Sequence, residues 1–218
     1  MINIALDGPS GSGKSTVAKI ISKRLDILYL DTGAMYRACA LEAILQNTDC
    51  LDEENVKKFI NDIDLKIEYE NGAQKTILRG EDVSTKIRQN EVSMMASNIS
   101  SLPCVRLKMV EMQRAIAQNT DCILDGRDIG TYVLPNANYK FFVTASPEVR
   151  ATRRYLELTQ KGQNVDYDTL LKEINQRDYN DSHRAFAPLR QAEDAILLDT
   201  SEMSIDQVVD FILSKVKR

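Results

Sequence analysis

Apolar residues along this chain fall into two rhythms. Short unbroken runs appear as INIAL (residues 2–6), ILYL (27–30), CIL (122–124), YKFFVTA (139–145) and AILL (195–198). They lack the polar alternation of a strand with one wet face, so they read as strands covered on both faces, as in a parallel sheet. Most are followed by a longer stretch with helical spacing, which gives a series of strand–helix–strand units. The last stretch is the clearest: Ile205, Val208, Val209, Ile212, Leu213 and Val216 recur at helical intervals and predict an amphipathic helix on one face of the sheet. Another helix is predicted to begin near Ser146-Pro147, a cap followed by a first-turn proline, and to end by Gly162.

Residues 62–90 break this rhythm. The segment DLKIEYENGAQKTILRG reads as two alternating strands around Asn71-Gly72, a dipeptide that suits the two left-handed positions of a tight hairpin turn. A small antiparallel insert projecting from an α/β core is expected. No Pro/Gly/Ser linker, repeat or low-complexity tract divides the chain. One domain, residues 1–218, is therefore expected.

Composition narrows the class. A chain of 218 residues can bury one substantial α/β core, and 43% hydrophobic with 28% charged residues is ordinary soluble usage. A net charge of −4 argues against a general nucleic-acid surface. The four cysteines, Cys39, Cys50, Cys104 and Cys122, form no CxxC pair. Two disulfides can be drawn, but reduced and mostly buried thiols are the expectation. No apolar run approaches the ~18 residues of a membrane span. The N-terminal run stops at Asp7 without a basic flank, so a secretory signal is not read and a cytoplasmic protein is expected.

The candidate chemistry begins at GPSGSGKST, comprising Gly8, Pro9, Ser10, Gly11, Ser12, Gly13, Lys14, Ser15 and Thr16. The spacing Gly8-x4-Gly13-Lys14-Ser15 is that of a phosphate-binding P-loop. Glycines let backbone N–H groups converge on phosphate oxygens, Lys14 reaches the β/γ-phosphates, and the Ser15 hydroxyl faces Mg²⁺. An apolar strand precedes the loop and an amphipathic helix follows it, whose N-terminus also favours negative charge. The loop alone leaves GTPases, motor-like ATPases and small-molecule kinases open. No [NT]KxD segment is present, which weighs against the guanine-reading branch.

A kinase for a phosphorylated acceptor must neutralise a second anion, and guanidinium grips phosphate bidentately while staying charged. Arg37 lies in DTGAMYR and Arg127 in CILDGRDIG, each just after an apolar run. Arg150, Arg153 and Arg154 share a helix face, as do Arg177, Asp181 and Arg184 if residues 168–184 are helical. Exposed charge stripes would look the same, and such pairs contribute little. Position favours function, because DTG and DGRD sit at the C-terminal ends of predicted strands, where open α/β sheets bind ligands. Asp31, Asp125 and Asp128 there are candidates for contacts to Mg²⁺-bound water or for nucleotide recognition. His183, the single histidine, reads as a surface residue, since phosphoryl transfer needs none.

The segments DGPSGSGKST, LDTGAMYR, GEDVSTKIR, LPCVR, LDGRDIGT, ATRRYLEL and RDYNDSHRAFAPL, in that order, make the chain resemble the bacterial cytidylate kinases. The resemblance runs from residue 2 to about 200. It implies an α/β P-loop nucleoside monophosphate kinase fold, with a parallel five-stranded core sheet flanked by helices. It also implies a core of residues 1–34, 103–146 and 184–218, a monophosphate-binding part with hairpin insert near 35–102, and a helical lid near 150–182. The activity implied is transfer of the γ-phosphoryl group of ATP to CMP or dCMP, with Mg²⁺ as cofactor, in a monomer.

Matched residue by residue, Arg37 and Arg127 would hold the acceptor phosphate with Arg184 nearby. Ser97, Arg106 and Asp128 would read cytosine, with Thr32 beside the base, and Arg177 and Asp181 would bind the sugar. Lys14, Arg127, Arg153 and Arg184 would stabilise the transferring group, Arg150, Arg153 and Arg154 would close on ATP, and Ser15, with Asp31 or Asp125 through water, would serve Mg²⁺. Cytosine offers an amino donor and two acceptors, which suits a carboxylate, a hydroxyl and a guanidinium. Uracil would set Asp128 against a carbonyl, at a cost of ~1–3 kcal/mol or more. Thr32 departs from the serine common in the family, keeping the hydroxyl and adding a methyl. Kinases of UMP or shikimate, and a switching or RNA-binding NTPase, are the competing readings. Shikimate lacks the phosphate that Arg37 and Arg127 would grip, and the acidic balance weighs against the NTPase.

Overall fold

All five apolar runs form strands in the computed structural model, which describes residues 1–217. In chain order the strands are β1 (Asn3–Asp7), β2 (Leu28–Asp31), β3 (Leu65–Glu70), β4 (Ala73–Leu78), β5 (Glu81–Asp82), β6 (Cys122–Gly126), β7 (Tyr139–Thr144) and β8 (Ile196–Asp199). The helices are α1 (Lys14–Leu25), α2 (Thr32–Leu45), α3 (Glu53–Ile60), α4 (Asn90–Ile99), α5 (Pro103–Ala117), α6 (Pro147–Gln160), α7 (Tyr167–His183) and α8 (Ile205–Lys215). The main sheet has the order β2-β6-β1-β7-β8, and β7 pairs in parallel with both β1 and β8. Ile4, Leu6, Ile123, Leu124, Phe141 and Val143 are buried, as strands covered on both faces require. The run AILL differs from expectation: Leu198 is buried but Leu197 is 57% exposed. This strand is the sheet edge, so one of its flanks lacks a neighbouring strand.

The chain forms two compact units. One holds Ile2–Ile27 and the chain from Ile123 onward; the other holds Leu28–Cys122 together with Met1. In the first, α1 starts directly after Gly13, and α8 packs on α1. Helix α6 begins as the sequence predicts, with the Ser146 hydroxyl accepting from Val149 N and Pro147 in the first turn. A reciprocal capping box between Ser204 and Gln207 opens α8, and Val216 falls just beyond its last turn. Helices α6 and α7 pack against each other, with Tyr155 and Tyr167 in an edge-to-face contact. Among the described residues no helix is long and apolar enough to cross a membrane.

In the second unit, Asn71 and Gly72 adopt φ of 51° and 74°, the two left-handed positions that the hairpin turn demands. Strands β3 and β4 pair antiparallel around them, with Tyr69 opposite Gln74, and β5 extends the small sheet. Arg79, after β4, donates to both oxygens of the buried Glu42 carboxylate of α2, at 2.8 and 2.5 Å. Helix α5 packs on α2 and α3 and buries Val105, Met109 and Val110. Residues 103–117 lie in this unit. All four cysteines are free thiols, three of them buried and Cys104 partly so.

Candidate active site

The P-loop turns from β1 into α1 on glycines that have no substitute. At Gly8 (φ 144°) an added Cβ would lie 2.0 Å from the Val143 carbonyl oxygen. Lys14 is buried and lies over the loop, its Nζ donating to Pro9 O at 2.7 Å and to Ser12 Oγ at 3.2 Å. Burial, and then the neighbouring Arg127 guanidinium, lower its pKa to about 7, against the opposing pull of Asp125, Asp7 and Asp181. A polyphosphate placed beside this lysine would favour its charged form.

The Ser15 hydroxyl donates to Asp125 Oδ2 at 2.6 Å. A hydroxyl and a carboxylate at that separation form a hard-oxygen pair of the kind Mg²⁺ takes beside phosphates, so these residues fit the ion. Asp31 has other work. Its Oδ1 accepts from Ala34 N at 2.9 Å, capping α2, and its Oδ2 accepts from Arg88 at 2.7 Å. Of the two carboxylates offered by the sequence, Asp125 is the one joined to the P-loop serine.

The DGRD segment leaves β6 and enters a single π-helical turn, Ile129–Val133. Asp7, which sequence reasoning did not single out, fixes that turn by accepting from Ile129 N and Gly130 N, each at 2.7 Å. Burial pushes the Asp7 carboxyl up to about 6 despite these two donors. Arg127 Nε donates to Asp181 Oδ2 of α7 at 2.8 Å. Burial works to lower the Arg127 pKa, but the Asp181 charge and hydrogen bond outweigh it and the net shift is upward. For Asp181, burial is the largest influence and raises, yet Arg127, Arg177 and Arg184 together hold its carboxyl below the usual range. Arg184 lies 3.5 Å from Asp128, with both side chains buried, and also donates to the Ala187 carbonyl. The turn after β6 and the end of α7 thus bring Arg127, Asp128, Arg177, Asp181 and Arg184 into one charged set.

The arginines of α6 take three different positions. Arg150 is buried, paired with both oxygens of Asp178, and donates to Ala145 O at 2.9 Å and Ser10 O at 3.1 Å. It joins α6 and α7 to the P-loop backbone as a clamp. Arg153 donates to Thr200 O at 2.7 Å, and Arg154 pairs with Glu157 on the surface at 2.9 Å. His183 is exposed and stacks on Tyr179.

In the unit spanning Leu28–Cys122, Thr32 opens α2 and is buried. Arg37 lies one turn on, and its Nη1 would be 3.2 Å from a Cβ at Gly33, so the glycine leaves room for the guanidinium. Arg106 is 1% exposed, donates to Ser100 O at 3.1 Å and lies 5.3 Å above the Tyr36 ring. Ser97 is half-buried on α4, one turn before Ser100. Asp7, Arg88 and Asp178 escaped the sequence because each acts on a partner 57 to 123 positions away, or 28 for Asp178, and no local pattern encodes that distance.

Comparison with known proteins gives concordant results. A family model described as cytidylate kinase matches residues 4–218. A curated cytidylate kinase of Caldicellulosiruptor bescii is 50% identical over 212 residues, covering 97% of this chain and 94% of that protein. One from Halalkalibacterium halodurans is 49% identical, covering 99% and 97%. Among solved structures, a shikimate kinase from Bacteroides thetaiotaomicron aligns with a TM-score of 0.51 at 15% identity, covering 98% of this chain and 97% of that one. That likeness speaks to the fold alone.

Proposed function

From the premise that the chain belongs to the cytidylate kinase family, we propose that it transfers the γ-phosphoryl group of ATP to CMP or dCMP, yielding ADP and CDP or dCDP. The observation that carries the reading is the grouping of Lys14 with Arg127. Lys14 is buried, and burial and then the Arg127 guanidinium beside it lower its pKa, so an anion placed there would favour its charged form. A donor and an acceptor phosphate meeting there would supply that anion.

In this reading Gly8–Thr16 cradle the ATP phosphates through backbone N–H groups and the α1 N-terminus. Mg²⁺, held through Ser15 and Asp125, would supply charge neutralisation on the β- and γ-phosphates. Arg37, Arg127 and Arg184 hold the acceptor phosphate. Thr32, Ser97, Arg106 and Asp128 read the base, and Arg177 and Asp181 bind the sugar. Arg153 and Arg154 approach the ATP side. An acceptor phosphate oxygen, already ionised, attacks the γ-phosphorus in line, and the ADP oxygen leaves without needing a strong acid. Catalysis then rests on positioning and on cations matched to the transferring group. The reading carries with it a monomeric cytoplasmic enzyme with small-molecule partners only, neither nucleic acid nor membrane.

Product analysis by chromatography tests this directly. CDP and ADP should form in equal amounts only when ATP and CMP are both present. ATP turnover indifferent to any monophosphate would contradict the transfer.

A further inference from the structure

Strand β2 ends where the DTG segment begins, and it lies at the edge of the main sheet. Leu28 N donates to Asp121 O, toward the neighbouring strand. Strand alternation then turns the backbone groups of Tyr29 and Asp31 to the other side, where no strand of the described residues pairs with β2. Two side chains from the hairpin take that place. Tyr69 Oη donates to Tyr29 O at 3.1 Å. Gln74 Oε1 accepts from Asp31 N at 2.7 Å, and its Nε2 reaches Asp31 O at 3.4 Å. Tyr69 and Gln74 are register partners, directly opposite each other across β3 and β4. One cross-strand pair therefore grips two alternate residues of an edge strand through side chains.

The next residue after Asp31 is Thr32, and Asp31 itself caps α2, the helix that carries Arg37. We propose that Tyr69 and Gln74 are positioning residues for the acceptor substrate, acting through the β2 backbone to fix the start of α2. This rests on the kinase reading above. The insert would then serve acceptor binding from outside the site, and Gln74 would matter more than Tyr69, because it holds both polar groups of the last strand residue.

The test compares the full-length chain with the variants Gln74→Ala, Tyr69→Phe and Gly72→Ala. Gly72→Ala strains the hairpin tip, whose φ is 74°, without removing either contact to β2. Amide hydrogen exchange and steady-state kinetics are read together with melting temperature. Gln74→Ala should speed exchange at Asp31 and raise the KM for CMP about fivefold, the equivalent of one typical hydrogen bond, with the KM for ATP changing less than about twofold. Tyr69→Phe should do the same more weakly, and Gly72→Ala should lower the melting temperature while leaving the KM for CMP in place. Unchanged exchange at Asp31, or a KM for CMP that tracks melting temperature across all three variants, would overturn the proposal. A wild-type chain that does not phosphorylate CMP would instead overturn the functional reading, and exchange at Asp31 would still decide whether the pair holds β2.

Discussion

Arg127 Nε and Asp181 Oδ2, 54 positions apart in sequence, meet at 2.8 Å and join the turn after β6 to α7. The pair sits beside the P-loop lysine, so its integrity bears on both stability and turnover. Asp181→Ala would leave the Arg127 charge without its nearest partner. The Arg127 side chain is 20% exposed, so the loss should be about 2–3 kcal/mol, below the ~3–5 kcal/mol of a fully buried pair. Denaturant unfolding measures it. The pH dependence has a defined sign. The Asp181 pKa lies below that of the unfolded chain, so the unfolded state binds more protons as the pH falls. The pair's contribution is fully present above about pH 4 and is lost as pH drops toward the folded pKa. The variant should show a flatter acid limb than the wild type.

The buried Lys14 amine makes nucleotide binding a proton-linked event. With a pKa of about 7 in the free protein, a sizeable fraction is neutral near pH 7.5. Polyphosphate favours the ammonium, so binding should take up a proton. Calorimetry of ATP binding in buffers of different ionisation enthalpy should report fractional proton uptake, and affinity should weaken as pH rises above about 7. Lys14→Met should abolish the uptake. Uptake of the same size in Lys14→Met would assign the titration elsewhere.

Ser15 and Asp125 should set the requirement for divalent ion. Ser15→Ala and Asp125→Asn each remove or weaken one oxygen of the pair at 2.6 Å. The Mg²⁺ concentration giving half-maximal activity should rise about tenfold in either variant, while Asp31→Asn should leave it near the wild-type value. Titration of activity against free Mg²⁺ distinguishes the two aspartates.

Asp178→Asn weakens the clamp that Arg150 places on the P-loop backbone at Ser10. The affected contacts lie on the donor side, so the KM for ATP should rise several-fold with a smaller change for CMP. Arg150 is almost inaccessible, and a charge-neutral replacement of its partner should also lower the melting temperature. Equal effects on both substrates would place the clamp's influence on the whole site.

Strands, the P-loop, the hairpin turn and the helix caps were legible because each is a local signal. INIAL before GPSGSGKST, Ser146-Pro147 and Asn71-Gly72 carry their conformations within a few residues. The edge position of β8 was not legible, because burial on both flanks depends on which strands adjoin it. The three arginines of α6 show the limit of periodicity. Helical spacing put them on one face, yet Arg150 is buried in a clamp, Arg153 meets Thr200 and Arg154 faces solvent. Partners distant in sequence decided among those positions. For the same reason the capping role of Asp31 was hidden behind its place at a strand end, where a ligand to the ion was an equally fair reading.

Recognition of a cytosine nucleotide as acceptor is read from the ratio of kcat/KM for CMP to that for UMP, with saturating ATP and Mg²⁺. Asp128 set against a uracil carbonyl should cost at least about 1.4 kcal/mol, so CMP should be favoured by about tenfold or more. Equal kcat/KM for the two monophosphates would mean that Asp128 does not read the base.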